Sequence, residues 1–301
     1  MIVTKDRLAL LRRVMHAVSS DPSASEIVVV DDASSDGTAQ WLRNRLVDGP
    51  PVRVVQTAGI GPAAARQVGV EHARGDLVLL LDDDVLPRPG LVSRHVAVLR
   101  GERARIAVGY SPVRLPERRA GADVAQFAYA RDYERRCARY ESGSTPVAHN
   151  LWGGNVSLWR EAALAVGLSS SAFGERRAFY EDRDFGLRAH RAGLHAVFDR
   201  TLAADHHHWR SADAALADAR RRGASAVHLH RLHGDLIGPY DPQLLLAGLP
   251  RPLAAGVRAT RRARVAGAAM TATRTAIDVS GRFGRWAAQD ASFKLARRVY
   301  E

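Results

Sequence analysis

The sequence predicts an α/β protein whose sheet is mainly parallel and flanked by helices, with a basic helical C-terminal segment. Three observations predict it. The run Leu77-Val78-Leu79-Leu80-Leu81 carries no polar residue and is too short for a comfortable helix, so it reads as a strand covered on both faces. Glu26-Ile27-Val28-Val29-Val30 has the same character, and both runs stop at acids, Asp31-Asp32 and Asp82-Asp83-Asp84. Between and around them lie stretches of helical spacing, so strand and helix alternate over residues 1–90. That alternation implies parallel strands joined by helical crossovers.

Taken in order, Met1–Thr4 is a very short first strand. Leu8, Leu11, Val14 (or Met15) and Val18 then mark one face of a helix. After the Glu26–Val30 strand, Ser34-Ser35-Asp36-Gly37-Thr38 supplies turn and cap chemistry for a helix carrying Ala39, Leu42 and Leu46. Val52–Val55 is the third strand. Gly59-Ile60-Gly61-Pro62 leads into a helix with Ala65, Val68 and Ala73, Pro62 standing in its first turn. The Asp76–Leu81 strand follows, then a helix from Pro89 to Leu99, a strand at Ile106–Tyr110 and a charged helical connection over Gly121–Glu141. Gly153-Gly154-Asn155 precedes a strand at Val156–Trp159. Glu181-Asp182-Arg183-Asp184 heads a helix through Ala192 that Gly193 ends, with Asp184 and Arg188 spaced as an i,i+4 pair. Short strands at Ala196–Phe198 and Leu202–Ala204 run into His206-His207-His208, and helices occupy Ala212–His233 and everything beyond Pro242.

At 301 residues, with 46% hydrophobic and 25% charged residues, the chain can bury a substantial core. Cys137 stands alone, which excludes a disulfide framework and a cysteine zinc site. No apolar run approaches a membrane span and no leader pattern opens the sequence, so the expectation is a cytoplasmic protein. Much of the net charge of +12 lies in residues 251–301, with eleven Lys/Arg against three Asp/Glu. Such a segment suits an anionic surface or a solvated helix face, and it carries no nucleic-acid-binding motif.

The acids at the strand ends carry the chemistry. Ligands of open α/β sheets gather at the carboxyl ends of the strands, so Asp31, Asp32, Asp82 and Asp84 are expected on one rim. Three adjacent carboxylates repel one another unless a cation sits among them. A divalent metal is one answer and a solvated acidic turn the other. Glu181 and Asp182 have a structural explanation in the helix dipole as well as a catalytic one. If Ala203–His208 is extended, His206 and His208 share a face and His207 points away. His228, His230 and His233 fall on a helix and read as surface histidines.

Five stretches together resemble the family-2 glycosyltransferases, inverting enzymes with the GT-A, Rossmann-like nucleotide-sugar fold. They are Val28–Thr38, Gly61–Gln67, Gly75–Pro87, Gly153–Ser157 and Glu181–Arg188, in family order, and the likeness covers Ile2 to Trp209. The resemblance implies transfer from a nucleotide-diphosphate sugar, with a UDP-sugar as first choice, to an acceptor hydroxyl on a glycan, lipid-linked or small molecule. It implies Mn²⁺ or Mg²⁺ as cofactor. Asp32, with Asp31 and Thr4 close by, would meet the nucleobase, unless Asp32 serves only a turn or cap. Arg66 would reach the nucleotide, unless it is a surface helix residue. Asp82 would face ribose or metal, Asp84 the metal, and Asp83 would be largely solvated. His206 or His208 would add a metal ligand. Asp182 would be the general base, with Glu181 orienting the acceptor or sharing the role.

Two positions depart from the family pattern. Thr4-Lys5-Asp6-Arg7 has Asp6 where an Asn is common, and Phe179-Tyr180 replaces a Gly-Gly pair. The expected organisation is a catalytic domain over 1–234, with a nucleotide-sugar half to 110 and an acceptor half beyond it, and a helical basic extension over 235–301. Peripheral contact with the inner membrane face would run through that extension. Three rival readings make demands that this sequence does not meet or does not need. A haloacid-dehalogenase-type phosphotransferase wants Thr or Val at Leu86, a nucleotidyltransferase wants a Gly-rich loop after the first strand, and a catalytically silent binding protein has no need of Asp182.

Overall fold

The computed structural model describes residues 1–44, 49–173, 179–207, 209–260 and 263–301, with the side chains of 244, 245, 263 and 264 left out. Leu46 and His208 therefore lie outside the described residues. By its contacts the chain divides into two compact units, Met1–Arg114 with Glu134–His207, and Leu115–Tyr133 with His208–Glu301. The sequence-based division falls instead at 234.

The first unit is organised by one sheet. Among the described residues its strands are β1 (Ile2–Thr4), β2 (Ile27–Asp32), β3 (Val52–Thr57), β4 (Leu77–Asp82), β5 (Val85–Pro87), β6 (Arg105–Tyr110), β7 (Asn155–Trp159) and β8 (His195–His206). They lie in the order β3-β2-β1-β4-β7-β6-β8-β5. β1 pairs in parallel with β2 and β4, and β2 with β3, as the alternation predicts. β7 enters antiparallel between β4 and β6, so beyond β4 the sheet becomes mixed. The chain leaves β1 toward β2 and β3 and then returns to β4 on the other side of β1. The carboxyl ends of β1 and β4 thus flank the point where the strand order reverses, where open sheets bind ligands.

Helices α1 (Leu8–Ser19), α2 (Thr38–Asn44), α3 (Pro62–His72), α4 (Leu91–Leu99), α6 (Arg160–Val166) and α7 (Glu181–Arg191) belong to this unit, and α5 (Val124–Glu141) is divided at 133/134. α1 buries Leu11, Val14, Met15 and Val18 against Ile2, Ile27 and Val29, the face its spacing predicts. At about 1.5–3 kcal/mol per buried aliphatic side chain, that face alone outweighs the modest propensity of the segment. Val28, Leu80, Val108, Val156 and Phe185 fill the other side of the sheet.

Where two short strands are expected there is one, β8, which pairs with β6 in parallel and with β5 antiparallel. Its pairing with β6 slips between Gly109 and Tyr110. A Cβ at Gly109 would stand 2.2 Å from Asn155 Nδ2 and 2.5 Å from the Leu202 carbonyl, so this close passage requires glycine. The polar Asp199-Arg200-Thr201 that reads as a turn is carried inside the strand.

The second unit holds α8 (Ala212–Ile237), α9 (Arg251–Ala259), α10 (Ala263–Arg282) and α11 (Trp286–Tyr300). Ser211 caps α8 by accepting the Ala214 N–H, and the helix breaks locally at His233. Val124, Leu216, Ile277 and Phe293 form its core, and Asp290 binds Arg119 at 2.5 Å and Arg131 at 2.9 Å.

Candidate active site

The strand ends deliver their acids to a cleft of about 510 Å³ lined by Thr4, Arg7, Asp32, Gly61, Arg66, Asp82 and Asp83, among others. β2 runs on through both of its acids, so the strand alternation sends them to opposite faces. Asp32 faces the cleft; Asp31 does not line it. Asp31 is buried and accepts the Ser34 N–H at 3.0 Å, a turn-closing bond. Burial alone would raise the Asp32 carboxyl. Bonds from Thr57 Oγ1 (2.6 Å), Gly61 N (2.9 Å) and Ile60 N (2.8 Å) outweigh that effect and hold it below the usual range. These bonds leave the carboxylate about one acceptor position for a ligand.

The three aspartates after β4 diverge. Asp82 accepts Arg66 Nη2 at 2.8 Å. Asp83, expected in solvent, is only 4% exposed: the turn into β5 folds it inward, where Thr4 Oγ1 donates at 2.7 Å and Arg7 Nη1 lies at 3.0 Å. Burial pushes it up to about 6 despite Arg7 and Thr4. Asp84 binds the same Arg7 Nη1 at 2.5 Å through Oδ2, and its Oδ1 lies 3.5 Å from His206 Nε2. The antiparallel β5–β8 register places His206 opposite Val85 and so beside Asp84. His206 is buried and packs at 5.3 Å from the Trp152 ring. His207 donates its backbone N–H to the Asp84 carbonyl at 2.7 Å.

α7 supplies the remaining acids. Tyr180, at a positive φ of 68°, caps it and turns the chain so that Glu181 and Asp182 open the helix. Asp184 pairs with Arg188 at 2.8 Å, as the spacing predicts. Asp182 accepts the Gly153 N–H at 3.2 Å and the Arg183 N–H at 2.8 Å. Burial raises the Asp182 carboxyl, opposed by Arg66 and Arg136. Burial and the Asp182 charge push Glu181 up to about 7. Arg66 is the link, with Nη2 on Asp82 and Nη1 3.5 Å from Glu181. The Gly153-Gly154 pair lets these groups approach: a Cβ at Gly154 would stand 2.7 Å from Asp82 Oδ2 and 2.5 Å from the Trp152 ring.

The donor chemistry around Asp84 and His206 fits a divalent cation in kind, a hard carboxylate beside an imidazole. Among the described residues no three His, Cys, Asp or Glu side chains are gathered to hold a metal. A cation here would need further oxygens from a ligand, as Mg²⁺-type sites on phosphate substrates do. Sequence reasoning gave Arg7 no role, and its signal lay only in the Thr4–Arg7 stretch. Gly154 and Trp152 were likewise unassigned.

The chain resembles known proteins in sequence and in fold. The family model described as glycosyl transferase family 2 matches residues 1–163. An undecaprenyl-phosphate 4-deoxy-4-formamido-L-arabinose transferase of Pseudomonas fluorescens (strain Pf0-1) is 40% identical over 90 residues, 29% of this chain and 26% of that protein. A dodecaprenyl-phosphate galacturonate synthase of Rhizobium johnstonii is 28% identical over 158 residues, 52% of this chain and 44% of that protein. The chain thus spans less than half the length of either relative. Among solved structures, the mannosyltransferase PcManGT from Pyrobaculum calidifontis, in complex with GDP-Man and Mn²⁺, superposes with a TM-score of 0.59 at 18% identity, covering 98% of this chain and 84% of that one. Glucosyl-3-phosphoglycerate synthase from Mycobacterium tuberculosis, in complex with UDP, gives 0.50 at 16% identity, over 80% and 79%. The fold is of the GT-A type, and the chain belongs to glycosyl transferase family 2.

Proposed function

We propose that this chain is a metal-dependent, inverting glycosyltransferase that moves a sugar from a nucleotide-diphosphate donor, a UDP-sugar first, to an acceptor hydroxyl. The observation that carries the proposal is the Arg66 bridge, which joins the carboxylate after β4 to the acid pair heading α7. A donor phosphate end and an acceptor-activating base are what one in-line displacement requires.

In this reading Asp32, preorganised by Thr57, Ile60 and Gly61, accepts an N–H of the nucleobase, and Thr4 lines the same cleft. Asp82 meets the ribose side, oriented by Arg66. Asp84 and His206 would hold Mn²⁺ or Mg²⁺, which when bound neutralises charge developing on the departing diphosphate. Asp182 takes the proton of the acceptor hydroxyl as that oxygen bonds to the anomeric carbon and the bond to the diphosphate oxygen breaks. One displacement inverts the anomeric centre, and burial makes Asp182 a stronger base than an ordinary aspartate. Glu181, tied to Arg66, orients the acceptor. The protein works at the cytoplasmic face, with the basic C-terminal segment touching the membrane.

A second acceptor, a polyprenyl phosphate, is favoured by the names of the relatives. A phosphate oxygen is already anionic and needs no base, whereas the buried acid pair is costly to keep, so the hydroxyl reading stands first. The test is transfer from a panel of nucleotide sugars with Mn²⁺ and with chelator, the product anomer being read by NMR. The proposal expects metal-dependent transfer with inversion. Retention, or transfer unaffected by chelator, overturns it.

A further inference from the structure

We infer that α10 and the turn after it form a docking face for an anionic lipid bilayer. At about 100° per residue, Val265, Ala268, Ala272, Ala276, Val279 and Phe283 fall on one side of the helix, while Ile277 faces the core of its unit. Among the described residues no element covers that side over much of its length: Val265 is 38% exposed, Val279 47% and Phe283 76%. The stripe runs about 27 Å, from Val265 to Phe283. Every large hydrophobic side chain that is exposed among the described residues belongs to the same unit.

Charge selects the occupant. Arg282 and Arg285, both exposed, stand on either side of Phe283, in a segment with eleven Lys/Arg and three Asp/Glu. Two copies meeting through this face would bring like charges together, whereas an anionic headgroup layer meets the arginines and its acyl boundary takes the apolar stripe. Among the described residues no helix is long and apolar enough to cross a membrane, so α10 would lie along the surface. This inference names the surface that makes the membrane contact of the proposed function, and it does not rest on the proposed reaction.

The test is sedimentation of the full chain with vesicles of phosphatidylcholine, with and without about one-third phosphatidylglycerol. Binding is expected only with the anionic lipid, and it should be lost at about 0.5 M salt. Val279→Ser with Phe283→Ser should weaken binding by tenfold or more, since two exposed apolar side chains of the face no longer insert. Arg282→Gln with Arg285→Gln should weaken it by about tenfold at low salt. Nucleotide binding by the same variants serves as the folding control and is expected to match the parent. Absence of sedimentation at low salt, equal binding to pure phosphatidylcholine, or parent-like binding by both variants overturns the inference. So does a parent dimer in sedimentation velocity that Val279→Ser with Phe283→Ser dissociates. None of these results touches donor binding, so failure here leaves the proposed reaction standing.

Discussion

Replacing Asp182 by Asn separates chemistry from binding. The side chain keeps its shape, but its amide can accept from only one of the two N–H groups, Gly153 and Arg183, that the carboxylate satisfies. That loss costs about 1 kcal/mol. Against it, one of two repelling buried acids is neutralised. Glu181, pushed up to about 7 by burial and by Asp182, keeps its proton in the folded state at pH values where the unfolded chain has released it. Stability therefore falls as pH rises from the ordinary glutamate value to about 7, by up to about 3 kcal/mol for the coupled pair. The variant should be less stable than the parent near pH 5 and more stable near pH 8, read by denaturant titration at both. Turnover should fall by about 10²–10⁴, the usual worth of a positioned base, with donor affinity within about threefold of the parent. In the parent, kcat/KM should rise through an apparent ionisation near 7 that belongs to the pair. Turnover within tenfold of the parent, with the pH profile intact, would refute the assignment of Asp182 as base and favour a phosphate acceptor.

Three further substitutions probe the rest of the site. Asp84→Ala should erase the difference in donor affinity between Mn²⁺ and chelator; a preserved difference removes Asp84 as ligand. Arg7 holds Asp83 and Asp84, so Arg7→Gln should tighten Mn²⁺ binding to the nucleotide-free protein several-fold by electron paramagnetic resonance, a modest gain because Arg7 is 42% exposed. Unchanged affinity would show that Arg7 does not compete with the metal. Gly154→Ala forces a methyl toward Asp82 Oδ2 and Trp152 and should cost about 1–3 kcal/mol of stability together with donor affinity. Parent values for both would mean that the close approach has no consequence.

Much of the parallel half of the sheet was legible because its apolar runs stop abruptly at acids, and α7 because Glu181, Asp182 and Arg188 follow helical end preferences. The facing of individual acids was less so. Asp31 and Asp32 differ because β2 continues through them, and Asp83 is buried because the β4–β5 turn folds toward Thr4 and Arg7; neither is a property of local spacing. Arg7 escaped notice because its role depends on contacts 76 and 77 residues away. β8 reads as two strands because Asp199-Arg200-Thr201 is polar, yet pairing with β6 carries the chain through. The second unit gathers residues 115–133 with the C-terminal helices through ion pairs such as Arg119 to Asp290, which no periodicity announces.

Under the proposed function, Asp84 and His206 complete a cation site only when a nucleotide diphosphate is bound. Calorimetric titration of UDP, GDP, dTDP and their common sugars, with Mn²⁺ and then with chelator, tests it most directly. One nucleotide, UDP first, should bind in a Mn²⁺-dependent manner, and Mn²⁺ alone should bind weakly. Equal nucleotide affinity with chelator, or no binding by any of them, would contradict it.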